Sequence, residues 1–392
     1  MTHFPYLIVG AGMTADAAVR GVRELDVERP IGLLGAEADP PYARPPLSKA
    51  LWKGEPLDSV WRHTAEAGAE LLLGRRATAL DLRAKRVTDD RGTQYSFDKL
   101  LLATGGTPRR LPFGGDAVIY FRTLADFRRL HALAQAGKSF AVIGGGFIGA
   151  ELAAALAMQG SRVTMLFPDP GIGARVFPAD LARFLVGYYR ERGVDVRPGE
   201  QVTGLHHSGS SSVLEAGSGL QVTADVVVAG IGILPNSELA QATGLEVNDG
   251  IIVDERLRTS HPDVFAAGDV ARFPAPALGT NIRVEHEDNA LSMGRAAGRA
   301  MAGDGSAYHH LPFFYSDLFE LGYEAVGELD PRGAMVADWK EPFREGVVYY
   351  LSGGRVRGVL LWNTWGQVDA ARALIALPGP FSAADLVGRL PS

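Results

Sequence analysis

The sequence predicts an α/β chain with two strand–turn–helix units of the kind that build parallel sheets, followed by a mixed α+β region at the C-terminus. Three observations carry this. The segments YLIVGAGMTADAAVRGV from Tyr6 and FAVIGGGFIGAELAAAL from Phe140 repeat one pattern, a short β-rich run, a glycine turn and an alanine-rich helix, 134 residues apart (Gly10 to Gly144). Each is followed by a second apolar run, IGLLGAE from Ile31 and SRVTMLF from Ser161, spaced as the next parallel strand of a βαβ unit. Past Gly305 the composition turns aromatic, and LPFFYSD, VVYYL and VLLWNTW suggest antiparallel strands with one terminal helix.

The remaining elements follow in order. The first helix starts near Met13 and ends before Pro30. From Leu72, LLGRRATALDLRAKRVTDDRGTQYSFDKLLLATGG reads as a meander of short strands ending in a buried strand at Leu100–Ala103. Ala141 to Met158 is nearly all apolar and close to the ~20 residues that span a bilayer, but three consecutive glycines and Glu151 argue for strand, turn and helix. A second alternating stretch follows Val194, passes a Ser/Gly-rich turn at Ser208–Ser212 and ends in VVVAGIGILPN. Boundaries fall near Leu111, Asn236 and Ala307, giving a discontinuous first domain (1–111 and 237–307), an inserted second domain (112–236) and a C-terminal domain (308–392).

Composition narrows the function. The chain has 392 residues, 46% of them apolar, and 39 basic against 45 acidic residues give a net charge of −6, which argues against nucleic acid as the main partner. There is no cysteine, so disulfides, thiolate metal sites and the C-x-x-C redox pair are all excluded, and redox chemistry needs a bound cofactor. The start, MTHFPYLIVGAG, carries no basic segment leading into a long apolar one, and a cytoplasmic location without membrane contact is expected.

Gly10-Ala11-Gly12-Met13-Thr14-Ala15 has the spacing G-x-G-x-x-A of a Rossmann-like dinucleotide turn. Gly10 makes the tight turn, Gly12 admits a pyrophosphate, and Ala15 is small enough for close helix–strand packing. Glu37 follows Gly12 by 25 residues at the end of the next apolar strand, where a carboxylate accepts hydrogen bonds from ribose hydroxyls. The plainer alternative is a tight turn and a solvated acid. The second unit, Gly144-Gly145-Gly146-Phe147-Ile148-Gly149, has all three glycines. Its acid is displaced: Phe167 ends the strand and Asp169 follows a proline. Asp169 favours NADH by repelling a 2′-phosphate, whereas Arg175, six residues on, does the reverse. Two such turns imply two dinucleotides, and a flavin with a nicotinamide is the natural pair. LLATGG, with Thr104 and Gly105, and VFAAGDVA, with Gly268 and Asp269, both run a buried strand into glycine. Each alone is an ordinary turn; found together in this order they are specific.

At this point the sequence resembles the FAD- and NAD-linked reductases of the glutathione-reductase fold, in the branch that holds oxygenase-coupled ferredoxin reductases and apoptosis-inducing factor. PPYARPPLSKALW, LFPDPGIGARVFPADL, RVEHEDNALSMGRAAG, SDLFELGYEAVGELD and VLLWNTWGQVDAAR carry it, and the last three lean towards apoptosis-inducing factor. The resemblance implies that Gly10, Gly12, Glu37, Arg44, Lys49, Arg122, Asp269, His286 and Tyr315 contact FAD. It likewise implies that Gly145, Gly146, Phe147, Ile148, Asp169, Arg175, Gly232, Glu285, Glu324 and Asn363 line the NADH side. Tyr315 stands where the apoptotic relatives commonly have tryptophan, and His286 where many ferredoxin reductases do.

Lys49 and Glu151 are the pair expected to carry catalysis. Two prolines stiffen the approach to Lys49, and Glu151 sits on an otherwise apolar helix, where a buried carboxylate needs a partner. The resemblance implies a lysine beside the reacting edge of the flavin, held by the glutamate, as a fixed positive charge. The plainer alternative is a surface lysine and a helix-face glutamate. Glu285-His286-Glu287-Asp288 lacks metal-ligand spacing; His286 is read instead as facing the flavin at a helix start, with Phe147 holding the nicotinamide from the other side. His206-His207 and His309-His310 read as loop residues. The expected activity is NADH oxidation through FAD to a ferredoxin, a rubredoxin or a small-molecule acceptor. The alternative is a redox switch that responds to NADH by dimerising, with slow turnover. The short sequence between Asp330 and Gly346 lacks the long insertion of animal apoptotic relatives.

Overall fold

The structure, a computed structural model, describes residues 1–209 and 211–390. It divides into two compact units. The first comprises Met1–Arg44, Pro56–Thr107 and Leu234–Pro312; the second comprises Pro45–Glu55, Pro108–Ile233 and the chain from Phe313 onward.

In the first unit, Thr2–Val9 pairs in parallel with Ile31–Leu34 on one side and with Gln94–Leu102 on the other. Ala69–Leu72 extends the sheet beyond Ile31–Leu34, and Val264–Ala266 adds a further parallel strand on Gln94–Leu102. The central strands are apolar on both faces, which is why Ile31–Leu34 is an unbroken buried run rather than an alternating one. The meander is there: Ala77–Asp81, Arg86–Asp89 and Gln94–Leu102 pair antiparallel in succession. The helix Met13–Arg23 ends well before Pro30, and it packs on Glu287–Met301. That crossing is tight: a Cβ on Gly298 would lie 2.0 Å from the Ala18 carbonyl oxygen, so only glycine permits it.

The second unit repeats the scheme. Its parallel sheet runs Val194–Pro198, Val163–Phe167, Phe140–Ile143, Val226–Ala229, Val118–Tyr120. The apolar run from Ala141 resolves into a buried strand, a glycine turn and the helix Phe147–Met158. Among the described residues no helix is long and apolar enough to cross a membrane. A three-stranded antiparallel sheet follows, Val202–Ser208, Ser211–Ala216 and Gln221–Ala224. His206 and His207 lie in its first strand, paired with Val213 and Ser212, which corrects their reading as loop residues: the hairpin draws them into backbone pairing despite their polarity. Ser210, in the turn expected at Ser208–Ser212, lies outside the described residues.

The aromatic C-terminal stretch forms a five-stranded antiparallel sheet in the order Phe313–Leu318, Leu321–Gly327, Arg355–Trp362, Glu345–Ser352, Ala334–Glu341. Two helices follow it, Val368–Ala376 and a single turn at Ala383–Leu386, where one was expected. The second is too short to show a 3.6-residue period, but its Ser382/Asp385 capping box marks it. Residues 45–55 pack with this unit: Trp52 is 3% exposed, its indole N–H donates to the Leu47 carbonyl at 2.7 Å, and the Gln159 amide donates to the Trp52 carbonyl at 2.7 Å. These bonds pin the segment that carries Lys49.

Candidate functional site

Within the first unit, Gly10 leaves its strand at φ +121°, and a Cβ there would lie 2.0 Å from the Ala103 carbonyl oxygen. Gly12 caps the helix Met13–Arg23, and a Cβ on it would meet nothing within 4 Å. The two glycines thus do different work: the first lets strands and turn close up, the second leaves open space in front of unpaired helix N–H groups, as an approaching pyrophosphate requires. Ala15 is fully buried against the sheet.

Glu37 lies beyond the end of Ile31–Leu34. Its Oε1 accepts from Arg44 Nη2 at 2.6 Å, and its Oε2 accepts from the Tyr42 hydroxyl at 2.6 Å. The Arg44 guanidinium sits 5.0 Å from the centre of the Tyr42 ring. Burial works against the charge on Arg44, but the facing Tyr42, Glu37 and Asp269 oxygens more than offset it and hold the group above its ordinary value. The carboxylate is thereby held in one orientation by two donors, one on each oxygen. Thr104 and Gly105 are fixed by Asn236, whose amide nitrogen donates to the Thr104 carbonyl at 2.9 Å and whose backbone N–H donates to the Gly105 carbonyl at 2.9 Å. Gly268 and Asp269 open a short turn after Val264–Ala266. His286 caps the helix Glu287–Met301, and its Nδ1 is shut off from solvent. Burial pushes its imidazole down to about 4, although Asp269 and Asp288 pull the other way. Glu285 accepts from Arg283 at 2.9 Å, and Arg283 also reaches Asp249 at 3.3 Å.

The second unit reproduces the turn. Gly144 has φ +120°, and its missing Cβ would lie 2.3 Å from the Gly230 carbonyl oxygen, while Gly146 caps Phe147–Met158 with open space before it. Gly149 takes the third position against the Gly144 carbonyl. Phe147 and Ile148 begin the helix, each 38% exposed, and Gly145, Gly146, Phe147, Phe177 and Tyr323 line a small recess. Asp169 pairs with Arg175 at 3.2 Å. Gly232 turns at φ +93°, and its carbonyl accepts from the Arg109 N–H at 2.9 Å. Burial raises the Glu324 carboxyl, opposed by the Gly366 N–H that donates to it at 3.3 Å. The Asn363 side chain is committed to the backbone, accepting from the Gly322 N–H at 2.7 Å and donating to the Arg344 carbonyl at 2.8 Å. Arg122 precedes the helix Leu124–Gln135, its backbone N–H donating to Asp126 at 3.1 Å.

Lys49 and Glu151 meet in this unit. Nζ lies 2.7 Å from Oε1, with the lysine side chain 11% exposed and the glutamate 3%. Lys49 Nζ is also 5.2 Å from the centre of the Tyr315 ring. Ser48 donates to Glu151 Oε2 at 2.5 Å and Ser316 donates to Oε1 at 2.6 Å. Tyr189 and Tyr323 are fully buried nearby; burial first, and the Glu151 charge second, hold both phenols well above their ordinary value, so they stay neutral. Neither member of the pair is a surface side chain.

Tyr42, Ser48 and Ser316 are the residues that sequence reasoning passed over. Tyr42 and Ser48 lie in the motif already singled out, PPYARPPLSKALW. Ser316 had a signal of its own, a polar residue in step with apolar Phe314 and Leu318 on one face of a strand.

The chain matches the pyridine nucleotide-disulphide oxidoreductase family over residues 4–294. It is 38% identical to the anthranilate 1,2-dioxygenase system ferredoxin–NAD(+) reductase component of Burkholderia cepacia, across 98% of each chain. It is 31% identical to apoptosis-inducing factor 1, mitochondrial, of Dictyostelium discoideum, across 95% of this chain and 78% of that one. The crystal structure of the covalent putidaredoxin reductase–putidaredoxin complex superposes with a TM-score of 0.89 at 32% identity, covering 96% of this chain and 94% of that chain. With the repeated glycine turn, these findings establish that the chain belongs to the pyridine nucleotide-disulphide oxidoreductase family and is an oxidoreductase.

Proposed function

We propose that this protein is an FAD-dependent NADH oxidoreductase that passes electrons to a small electron-transfer protein of the ferredoxin or rubredoxin type. The observation that carries the reading is the duplicated turn: Gly10/Gly12 and Gly144/Gly146 share one backbone geometry, and each presents an open helix start to a dinucleotide. Bound at the first turn, FAD would accept a hydride from NADH and release electrons singly.

The chain's own residues supply binding, orientation and charge. Gly12 and the helix start at Met13 would hold the flavin's pyrophosphate, and Glu37, steadied by Arg44 and Tyr42, its ribose. Gly146 and the helix start at Phe147 would hold NADH, with Asp169 on the adenine-side ribose. The Asp169–Arg175 pair supports NADH over NADPH, because the guanidinium is drawn onto a carboxylate that a 2′-phosphate would have to face. Lys49, paired with Glu151 at 2.7 Å and held by it, would stabilise negative charge arriving at the flavin edge. The neutral His286 imidazole would offer a planar, uncharged surface.

The relatives named as ferredoxin reductases and the reductase–putidaredoxin complex support the protein acceptor. The relative named as an apoptosis-inducing factor supports a second reading, an NADH-responsive switch with slow turnover. Anaerobic titration of the purified yellow protein with NADH, followed by addition of a ferredoxin, separates them. Bleaching of the flavin and rapid reoxidation by ferredoxin is the expected result. Slow reoxidation with NADH-dependent dimerisation favours the switch, and no bleaching removes both.

A further inference from the structure

We infer that Ser48 and Ser316 form a two-hydroxyl clamp on the Glu151 carboxylate, and that this clamp fixes where the Lys49 ammonium stands. Its consequence for hydride transfer rests on the function proposed above, while the clamp itself does not.

The geometry leaves the carboxylate little freedom. Oε2 accepts from Ser48 at 2.5 Å, and Oε1 accepts from both Ser316 at 2.6 Å and Lys49 at 2.7 Å. Ser48 is 5% exposed, Ser316 1% and Glu151 3%, so water does not replace a missing hydroxyl at the carboxylate. The two serines come from different supports. Ser48 ends the turn Pro45–Ser48, immediately before the lysine, and Ser316 stands on the C-terminal strand Phe313–Leu318. Glu151 comes from a third, the helix Phe147–Met158. The carboxylate is therefore held from two sides by neutral donors, and Lys49 takes the remaining lone-pair direction at Oε1. Without the serines, the ion pair would keep its charge attraction but lose its direction, because a lysine ammonium is a point charge on a flexible stem. The nearby phenols do not substitute. The Tyr189 hydroxyl donates to the Ala150 carbonyl at 3.1 Å, and Tyr323 is hydrogen-bonded with Ser316. Ser48 and Ser316 are positioning residues: they act on Lys49 through Glu151.

The test reads the lysine directly. In the full-length protein labelled with lysine carrying ¹⁵N at Nζ, Lys49 should give a protected ammonium signal, identified by its loss in Lys49→Met. Ser316→Ala and Ser48→Ala should each broaden or remove that signal while the backbone amide spectrum stays as in the wild type, and Ser316→Thr, which keeps the hydroxyl, should restore it. In parallel, flavin reduction by saturating NADH, followed by stopped flow, should slow about 3- to 30-fold in both alanine variants and recover in Ser316→Thr. An unchanged Lys49 signal in both alanine variants overturns the clamp. A lost signal with an unchanged reduction rate overturns its role in hydride transfer. Should Ser316→Ala fail to fold, Ser48→Ala decides alone. If NADH does not bleach the wild-type flavin, the proposed function has failed, and the ammonium signal still judges the clamp.

Discussion

The Lys49 ammonium lies 2.7 Å from Glu151 Oε1 in a site where neither side chain is more than 11% exposed. A pair this dry is held by mutual need: either charge alone would be buried without a counterion, at a cost of about 3–5 kcal/mol. Lys49→Met should therefore do two things. Flavin reduction by NADH should slow on the order of 100-fold, the range in which a preorganised electrostatic donor acts, while FAD binding persists. Thermal unfolding should shift to lower temperature, because Glu151 keeps its two serines but loses its counterion. Stopped-flow reduction at the wild-type rate would remove Lys49 from the mechanism.

The paired glycines allow folding and binding to be separated. Gly144→Ala forces a side chain into φ +120° and within 2.3 Å of the Gly230 carbonyl oxygen, so it should cost about 3 kcal/mol or more in a denaturant titration. Gly146→Ala meets nothing in the protein, and its stability should match wild type within about 0.5 kcal/mol. Its methyl instead occupies the open space where the proposed function seats the dinucleotide, and NADH affinity should fall about tenfold or more. Equal stability losses in the two variants would contradict this division of labour.

Both parallel units were legible in the sequence because their strands are apolar on both faces and their glycines sit at fixed offsets, signals that survive without tertiary context. That Glu151 needs a partner was legible for a different reason: one acid on an apolar helix demands a counter-group, and the family resemblance named Lys49 as that group. The clamp around it was not. Ser48 and Ser316 are 268 residues apart (316 − 48), and a serine hydroxyl carries no charge or hydropathy signal that announces burial. The side chain of Asn363 illustrates the limit from the other direction, since its spacing says nothing of the two backbone groups that engage it. His206 and His207 read as loop because their polarity outweighed a hairpin register that only pairing with Val213 and Ser212 reveals.

His286 should leave a pH signature in stability. Its folded imidazole is pushed down to about 4 by burial, against an ordinary value of 6.5. Above pH 6.5 both folded and unfolded states hold it neutral, and it contributes no pH dependence. As pH falls from 6.5 towards 4 the unfolded state takes up a proton that the folded state refuses, so the protein loses stability through that window and no further below it. Chemical denaturation across pH 4 to 8 should show that loss in the wild type and a smaller one in His286→Phe. Parallel curves for the two proteins would mean that the histidine is not held neutral.

Asp169 and Arg175 form one ion pair of 3.2 Å, and under the proposed function they pull cofactor choice in opposite directions. The Asp169 carboxylate is 31% exposed, whereas the guanidinium, 79% exposed, is tethered to it. Asp169→Ala removes the repulsion towards a 2′-phosphate and frees Arg175 to meet it, so two effects of the same sign should raise the NADPH-to-NADH ratio of kcat/KM by roughly 10-fold or more. Arg175→Ala should leave NADH use nearly unchanged, since Asp169 remains to bind the diol, and should depress NADPH further. The double variant decides between attraction and repulsion: a ratio close to that of Asp169→Ala means that lost repulsion dominates, and a ratio close to wild type means that the freed arginine does the discriminating. An unchanged ratio in Asp169→Ala itself would place cofactor choice elsewhere in the second unit.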